Sequence, residues 1–571
     1  MPARLRILVS GVCLAILILR TAPAALVGQP HDDPPSLTGL VTSSEEGPME
    51  GVLVGARRTG STQTITVVTD HGGRYQFPRG RLEPGRYALR IRALGYALDG
   101  DATVEIAGGK TAAADLKLRQ AFNADRASQL TNTEWLASFP GTEEQKTSVR
   151  GCAHCHTLEL VTRSRHDADE FVAVIERMSA YPPLAFPLMP QRTPSPRIGG
   201  GPVSAERQQQ AWRRQAEYLS SLNLSKGAQW SYAFKTLPRP KGQATRVIYT
   251  EYALPARTRQ PHDVIVDSDG MVWYASFGEQ ILGKLDPGTG KVVEYEIPLL
   301  KPGAPTGILG MRFDEDQNPW LAMQFQGGIA KFDRKTERFQ TWSLPPALNG
   351  DHVQINQVSP DRHHVDGKVW LQDAGTYRVF RLDVHSGEFE VFEPYAIPRP
   401  NVYDVIPDSR NNGYFLPLGS EEIGRIDAKT GAITMFKTPT PGSGPRRGMM
   451  DAQDRLWFGE NRSDRIGMFD TRTQQFQEWP APTPGAWPYD ATVDKNGDVW
   501  SGGEYNDRIL RLNPRTGRFI EYLLPAHTNV RRVFVDNSTT PVTFWVGSNH
   551  GASIVKLEPL DTPALRGSPP N

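Results

Sequence analysis

Seven aromatic residues set the architecture of the C-terminal half of the chain: Trp273, Trp320, Trp370, Tyr414, Trp457, Trp500 and Trp545. Nine positions after each stands an aliphatic residue: Leu282, Ile329, Val379, Ile423, Ile466, Ile509 and Ile554. Four further on comes an acidic residue or Asn: Asp286, Asp333, Asp383, Asp427, Asp470, Asn513 and Glu558. Nine beyond that, six units carry a second aromatic, Tyr295, Trp342, Phe392, Phe436, Trp479 and Tyr522, at or next to an aromatic-x-x-Pro motif. The seventh unit lacks its copy. That copy stands at the start of the region, in Thr250-Glu251-Tyr252-Ala253-Leu254-Pro255, which parallels Val293-Glu294-Tyr295-Glu296-Ile297-Pro298. An array whose last unit is completed by its first strand is circularly closed, and closure removes the edge that an open stack of sheets would expose. A solenoid would want capping repeats at its ends, and none is found. Residues 246–560 are therefore expected to form a seven-bladed β-propeller.

At 571 residues the chain is too long for one hydrophobic core, so further domains are expected before the propeller. Formal net charge is +1 with both signs interspersed, which gives no sequence-wide field to attract nucleic acid or an anionic membrane. Residues 1–24 place Arg4 and Arg6 before the apolar run Leu14-Ala15-Ile16-Leu17-Ile18-Leu19 and then Ala22-Pro23-Ala24, the pattern of a secretory signal peptide with a small-x-small cleavage site. The alternative, an uncleaved anchor, would want about 20 apolar residues. A periplasmic or secreted location follows, with no membrane span after cleavage. Cys13 leaves with the signal, so the mature chain keeps only Cys152 and Cys155 and has no disulfide framework.

Residues 35–119 alternate short apolar runs with turn residues, as in a small β-sandwich. Gly39-Leu40-Val41, Gly51-Val52-Leu53-Val54-Gly55-Ala56, Thr69-Asp70-His71-Gly72-Gly73-Arg74-Tyr75-Gln76-Phe77 and Leu82-Glu83-Pro84-Gly85-Arg86-Tyr87-Ala88-Leu89, closing at Gly95-Tyr96, resemble the carboxypeptidase regulatory-like domain. Tyr75, Phe77, Tyr87 and Leu89 should share one buried face. The resemblance implies a spacer or adhesion module, with glycan binding as the alternative.

Residues 121–230 turn helical. Asp167 is placed to cap a helix to about Met178, with Phe171, Val174, Ile175 and Met178 on one face; a second helix is expected from about Ala205 to Leu222 with Trp212, Ala216 and Leu219 along it. Between them lies the proline-rich stretch 182–202. Cys152-Ala153-His154-Cys155-His156 has the spacing for covalent attachment of one haem c: two thiols add to the porphyrin and the following His binds the iron. A zinc site would need two more ligands at short range, and His154 and His166 are poor substitutes. The segment resembles a cytochrome c domain, with Gly151 to Leu160 as the attachment helix. For the second axial ligand the candidates are Met178, on the expected core face of its helix, and Met189 in Leu188-Met189-Pro190; five-coordinate iron or His166 are the alternatives. His154 reads as a bystander.

Units such as Leu456-Trp457-Phe458-Gly459-Glu460-Asn461-Arg462-Ser463-Asp464-Arg465-Ile466-Gly467-Met468-Phe469-Asp470 resemble those of the virginiamycin B (streptogramin) lyase family. That resemblance implies a seven-bladed propeller and, if the activity carries over, a Mg²⁺-assisted elimination served by a His and a Glu at the channel. Glu460 and Glu504, after their blade tryptophans, are candidates for the channel mouth, as are His262 and Asp263 where an innermost strand opens. Tyr403, Asp404, Arg446, Arg447, Tyr489, Asp490, Arg531 and Arg532 open the equivalent strands. An Asp there also serves to tie neighbouring blades together, and no His accompanies Glu460 or Glu504. The chain is thus expected to be mainly β, with an N-terminal β-sandwich, a small α-helical cytochrome c-like domain and a C-terminal seven-bladed β-propeller. The function expected is that of a periplasmic c-type haem protein in electron transfer with a redox partner protein, its propeller binding a substrate or partner. A lyase-like propeller enzyme, or an envelope protein that binds or senses a small molecule or glycan, are the alternatives.

Overall fold

The computed structural model describes residues 34–182, 185–193, 204–225, 230, 232–396 and 400–560. The expected signal peptide, residues 1–24, lies outside them. No described helix is long and apolar enough to cross a membrane.

From Pro261 to Leu523 the chain forms six consecutive four-stranded antiparallel sheets, and a seventh is built from Val533–Asp536, Thr543–Ser548, Ser553–Pro559 and the early strand Val247–Ala253. The repeat spacing is explained by cross-strand register. Leu282 faces Tyr295, Ile329 faces Trp342, Val379 faces Phe392, Ile423 faces Phe436, Ile466 faces Trp479 and Ile509 faces Tyr522. In the seventh blade Ile554 faces Tyr252, so the displaced aromatic motif closes the ring as expected. In the first six units the acidic or Asn position caps the turn that follows: Asp286 accepts from the Gly288 N–H, Asp333 from Lys335 and Thr336, and Asp470 from Arg472 and Thr473, whereas Glu558 of the seventh lies in the last strand and pairs with Arg81. The anchor tryptophans are buried. Those of blades one, two, five and six donate their indole N–H to Asp267, Asp314, Asp451 and Asp494, each six residues earlier.

In the N-terminal domain Tyr75, Phe77, Tyr87 and Leu89 are buried in one core with Val41, Val54 and Leu116, which is the sandwich-like packing that the alternation implied. Its strand Gln63–Val68 pairs antiparallel with Val247–Ala253 of blade seven. One eight-stranded sheet therefore runs from the innermost strand of the blade into the N-terminal domain. Sequence periodicity gives no sign of this join, because edge pairing is made by backbone groups that every residue carries.

The helical segment contains Asn132–Ser138, Glu143–Arg150, Leu158–Thr162, Ala168–Ser179 and Ala205–Ser221 among the described residues. Thr131, Thr142 and Asp167 each close a capping box with the Glu or Gln three residues on. Two expectations are corrected. Gly151 to Leu160 is not one helix: a 3₁₀ turn, Gly151–His154, is separated from Leu158–Thr162 by Thr157, whose extended backbone starts the next helix. Met178 does not reach the core: Phe171, Val172 and Ile175 pack inward, while Met178 in the final turn is 37% exposed.

Candidate functional site at the propeller mouth

The helical segment sits on the face of the propeller where the innermost strands begin. Thr133 donates its N–H to the Tyr505 carbonyl (2.9 Å) and its hydroxyl to that of Gly485 (2.7 Å). Asn529 donates to the Ala153 carbonyl (2.9 Å) and Arg531 to that of His154 (3.2 Å). Farther round the ring, the Gln191 amide donates to the Gly278 and Thr306 carbonyls. Arg150 lies over the Trp487 ring, 4.2 Å from its centroid. The ring of Tyr505, on blade six, belongs to the hydrophobic core of the helical segment with Trp135, Val149, Ala153 and Leu158. The Cys152–His156 turn is thus packed against the channel mouth.

Inside the mouth a continuous polar chain runs through the channel residues. Asp263 accepts His262 Nδ1 (2.9 Å), and His262 Nε2 meets the Tyr489 hydroxyl (3.2 Å). That hydroxyl meets Tyr403 Oη (2.7 Å), which accepts from Arg446 (3.3 Å). Arg446 and Arg531 both pair with Glu504, and the Tyr505 hydroxyl meets His154 Nε2 at 2.6 Å. Burial pushes the Glu504 carboxyl up, but the two guanidiniums outweigh it and hold it at about 2. Desolvation lowers the pKa of His154, against the pull of Glu504, although 40% of its side chain remains accessible. Burial raises the Tyr403 phenol, yet Arg446 and Arg531 bring it below its ordinary value.

The expected channel carboxylates separate into different roles. Asp263 holds Arg447 through both oxygens (2.9 and 3.0 Å) and accepts the Met311 N–H of blade two. Asp404 accepts the Gly448 N–H of blade five, and Asp490 accepts the Val533 N–H of blade seven. These are the ties between blades. Glu460 is not at the mouth with Glu504. It is aimed along its own blade over Gly467 and toward Glu478, and burial followed by that second carboxylate pushes it up to about 8. The reason is strand alternation: it follows its anchor tryptophan by three residues and Glu504 by four, so the two point oppositely.

This donor set does not suit Mg²⁺. Glu504 and Asp263 are neutralised by arginines, His262 is engaged at both nitrogens, and Glu460 lies elsewhere. The Cys152–His156 turn suits a haem c better. The N–H groups of Cys155 and His156 both point at the Cys152 carbonyl (3.4 Å each), a tight turn that keeps the two thiols neighbours. Burial, then the nearby Cys155, push the Cys152 thiol up to about 11. His156 engages the Thr157 carbonyl through Nδ1 (3.0 Å), which leaves Nε2 for iron.

His154, expected to be a bystander to haem attachment, is held by the Tyr505 hydroxyl, and sequence reasoning did not single out Tyr505 or Asn529, which contact the Cys152–His156 turn from the propeller. A usable signal existed. The position five residues after each anchor aromatic holds Gly278, Phe325, Gly375, Gly419, Arg462, Tyr505 and His550, so large polar side chains are confined to three adjacent blades.

Residues 302–559 match the virginiamycin B lyase family and residues 36–119 the carboxypeptidase regulatory-like domain. No curated protein matches the chain. Among solved structures, virginiamycin B lyase from Staphylococcus aureus is 22% identical, with 55% of this chain and 99% of that chain covered and a TM-score of 0.45. A catalytically inactive variant of that lyase with quinupristin is 24% identical over 55% and 99%, at a TM-score of 0.46. The extracellular domain of a hybrid two-component system from B. thetaiotaomicron is 18% identical over 53% and 40%, at 0.42. The chain thus carries a carboxypeptidase regulatory-like domain and a virginiamycin B lyase-like β-propeller.

Proposed function

We propose that this is an exported c-type haem protein of the periplasm or cell exterior that takes part in electron transfer, its propeller covering the haem-attachment turn and presenting a surface to a redox partner or substrate. The observation that carries the reading is the seating of Cys152-Ala153-His154-Cys155-His156 against the channel mouth, with His156 Nδ1 engaged by its own backbone. Haem held there would supply one-electron exchange at iron. Cys152 and Cys155 would hold it covalently and His156 would ligate it. Asn529 and Arg531 fix the turn through two backbone carbonyls, and the Arg446–Glu504–Arg531 cluster sets a polar boundary on the channel side.

The full chain, exported from a host with an active cytochrome c maturation system, tests this. Expected are one haem that survives denaturation, a sharpened α-band after dithionite, and loss of both in Cys152→Ala/Cys155→Ala. A folded, exported chain that carries no haem while the host's own c-type cytochromes are matured would overturn it.

A further inference from the structure

The second axial ligand can be sought from the propeller side. His550 occupies the blade-seven turn at the register position that Tyr505 occupies in blade six, and Tyr505 already touches the attachment turn at His154. Both ring nitrogens of His550 are out of solvent and neither meets a side-chain partner; the ring leans on the His154 backbone without forming a well-aligned hydrogen bond, and part of the residue remains at the surface. It does not stand alone. Both side-chain polar atoms of Asn549, the Asn529 Oδ1 and the hydroxyls of Ser548 and Thr528 are likewise buried without partners. An unpaired buried polar atom costs about 1–3 kcal/mol, so this concentration on two adjoining loops calls for a partner from outside the protein, which solvent or a bound group would supply. Asn529 also ties the adjoining loop to Ala153, three residues before His156 in the attachment turn.

We propose that His550 is the second axial ligand, so that iron is held between His156 of the attachment turn and His550 of blade seven. The inference rests on the haem reading above. It is favoured over Met178, whose side chain is exposed, and over the other imidazoles near the turn, which are committed: His154 to Tyr505, and His166 within 3.6 Å of Glu170. The haem would then form part of the joint between the helical segment and the propeller, and two imidazoles would give a lower reduction potential than an imidazole–thioether pair.

Visible and electron paramagnetic resonance spectra of the haem-loaded full chain decide the matter. Wild type should be low-spin with a bis-imidazole signature. His550→Ala should keep its covalent haem but shift toward high spin and bind added imidazole, whereas Met178→Ala and Met189→Ala should match wild type. Should His550→Ala fold poorly, His550→Met provides the second reading: low-spin iron with a thioether-to-iron band and a raised potential. Haem present with spectra indifferent to both His550 variants, or altered by Met189→Ala instead, overturns the assignment and leaves the haem reading standing. Absence of haem from a folded wild type overturns both.

Discussion

The Tyr505 hydroxyl lies 2.6 Å from His154 Nε2 and so joins a turn of blade six to the middle of the Cys152–His156 sequence, 351 residues upstream. The same residue offers its ring to the core of the helical segment and its carbonyl to Thr133. Hydroxyl and ring are separable. Tyr505→Phe removes the one hydrogen bond and should cost about 1 kcal/mol. Tyr505→Ala also empties part of a packed core and should cost about 3–5 kcal/mol. Denaturant unfolding measures both, and limited proteolysis should show the helical segment cut faster in the Ala variant alone. Equal cleavage of wild type and Tyr505→Ala would mean that the docking does not depend on this residue.

Among the described residues Glu504 is the only carboxylate paired with Arg446 and with Arg531, and all three are buried. Glu504→Gln should therefore cost about 3–5 kcal/mol, since it strands two guanidiniums. The wild type should show the same dependence on acid. A folded-state pKa of about 2, below the ordinary 4.5, means stability that is present above pH 4.5 and lost as pH falls toward 2. Acid titration followed by Trp fluorescence should show a loss in this window that Glu504→Gln lacks.

How much of this could be read in the sequence depended on what was periodic. The blades were legible because Ile466 and Trp479, or Ile509 and Tyr522, are cross-strand partners, and a fixed spacing along the chain becomes a fixed register. The sandwich core was legible from the alternation of Tyr75 with Phe77 and of Tyr87 with Leu89. What one segment does to another was not. His154 gained its role from Tyr505 and Glu504, which reach it through folding, and Met178 lost its expected burial because the inward face of its helix ends before the last turn. Glu460 and Glu504 looked alike by spacing until strand alternation separated them.

The blade-tying aspartates should differ sharply on conversion to amides. Asp263 faces Arg447 and Arg532, so Asp263→Asn strands buried charge and should cost about 3–5 kcal/mol. Asp490 accepts from backbone N–H groups, and burial raises it to about 6. An amide oxygen can take those bonds, so Asp490→Asn should change stability by less than about 1 kcal/mol at pH 7. Thermal unfolding of the two variants side by side would expose a shared role if both proved equally damaging.

Glu460 gives a pH dependence of the opposite sign to Glu504. Burial and Glu478 hold its pKa at about 8 against an ordinary 4.5, so between these values the folded state binds a proton that the unfolded state has released. Stability then falls with rising pH, by at most about 1.4 kcal/mol per unit from this one group. Glu460→Gln cannot ionise and keeps the Ser463 hydrogen bond within reach of its amide oxygen. It should flatten the slope of unfolding free energy between pH 5 and 8 and leave the variant more stable than wild type at pH 8. Denaturant midpoints across that range measure it, and parallel slopes in the two proteins would show that Glu460 ionises normally in the folded chain.

The main-chain join between Gln63–Val68 and Val247–Ala253 makes a last prediction about cooperativity. Five residue pairs register along it, and Arg92 of the N-terminal domain adds contacts to Asp507 (2.6 Å) and the Leu524 carbonyl (2.6 Å) on blade six. Ile248 of blade seven belongs to the N-terminal core itself. Loss of that domain would leave blade seven with a bare edge and an exposed apolar side chain, so the two should melt together in one calorimetric transition. Arg92→Ala leaves the Asp507 carboxylate with His527 and the Thr528 N–H but no guanidinium, and should cost about 2–4 kcal/mol. If the shared sheet is the dominant coupling, the variant's transition moves to lower temperature and stays single; two resolved transitions in wild type would show that the domains fold independently despite the paired strands.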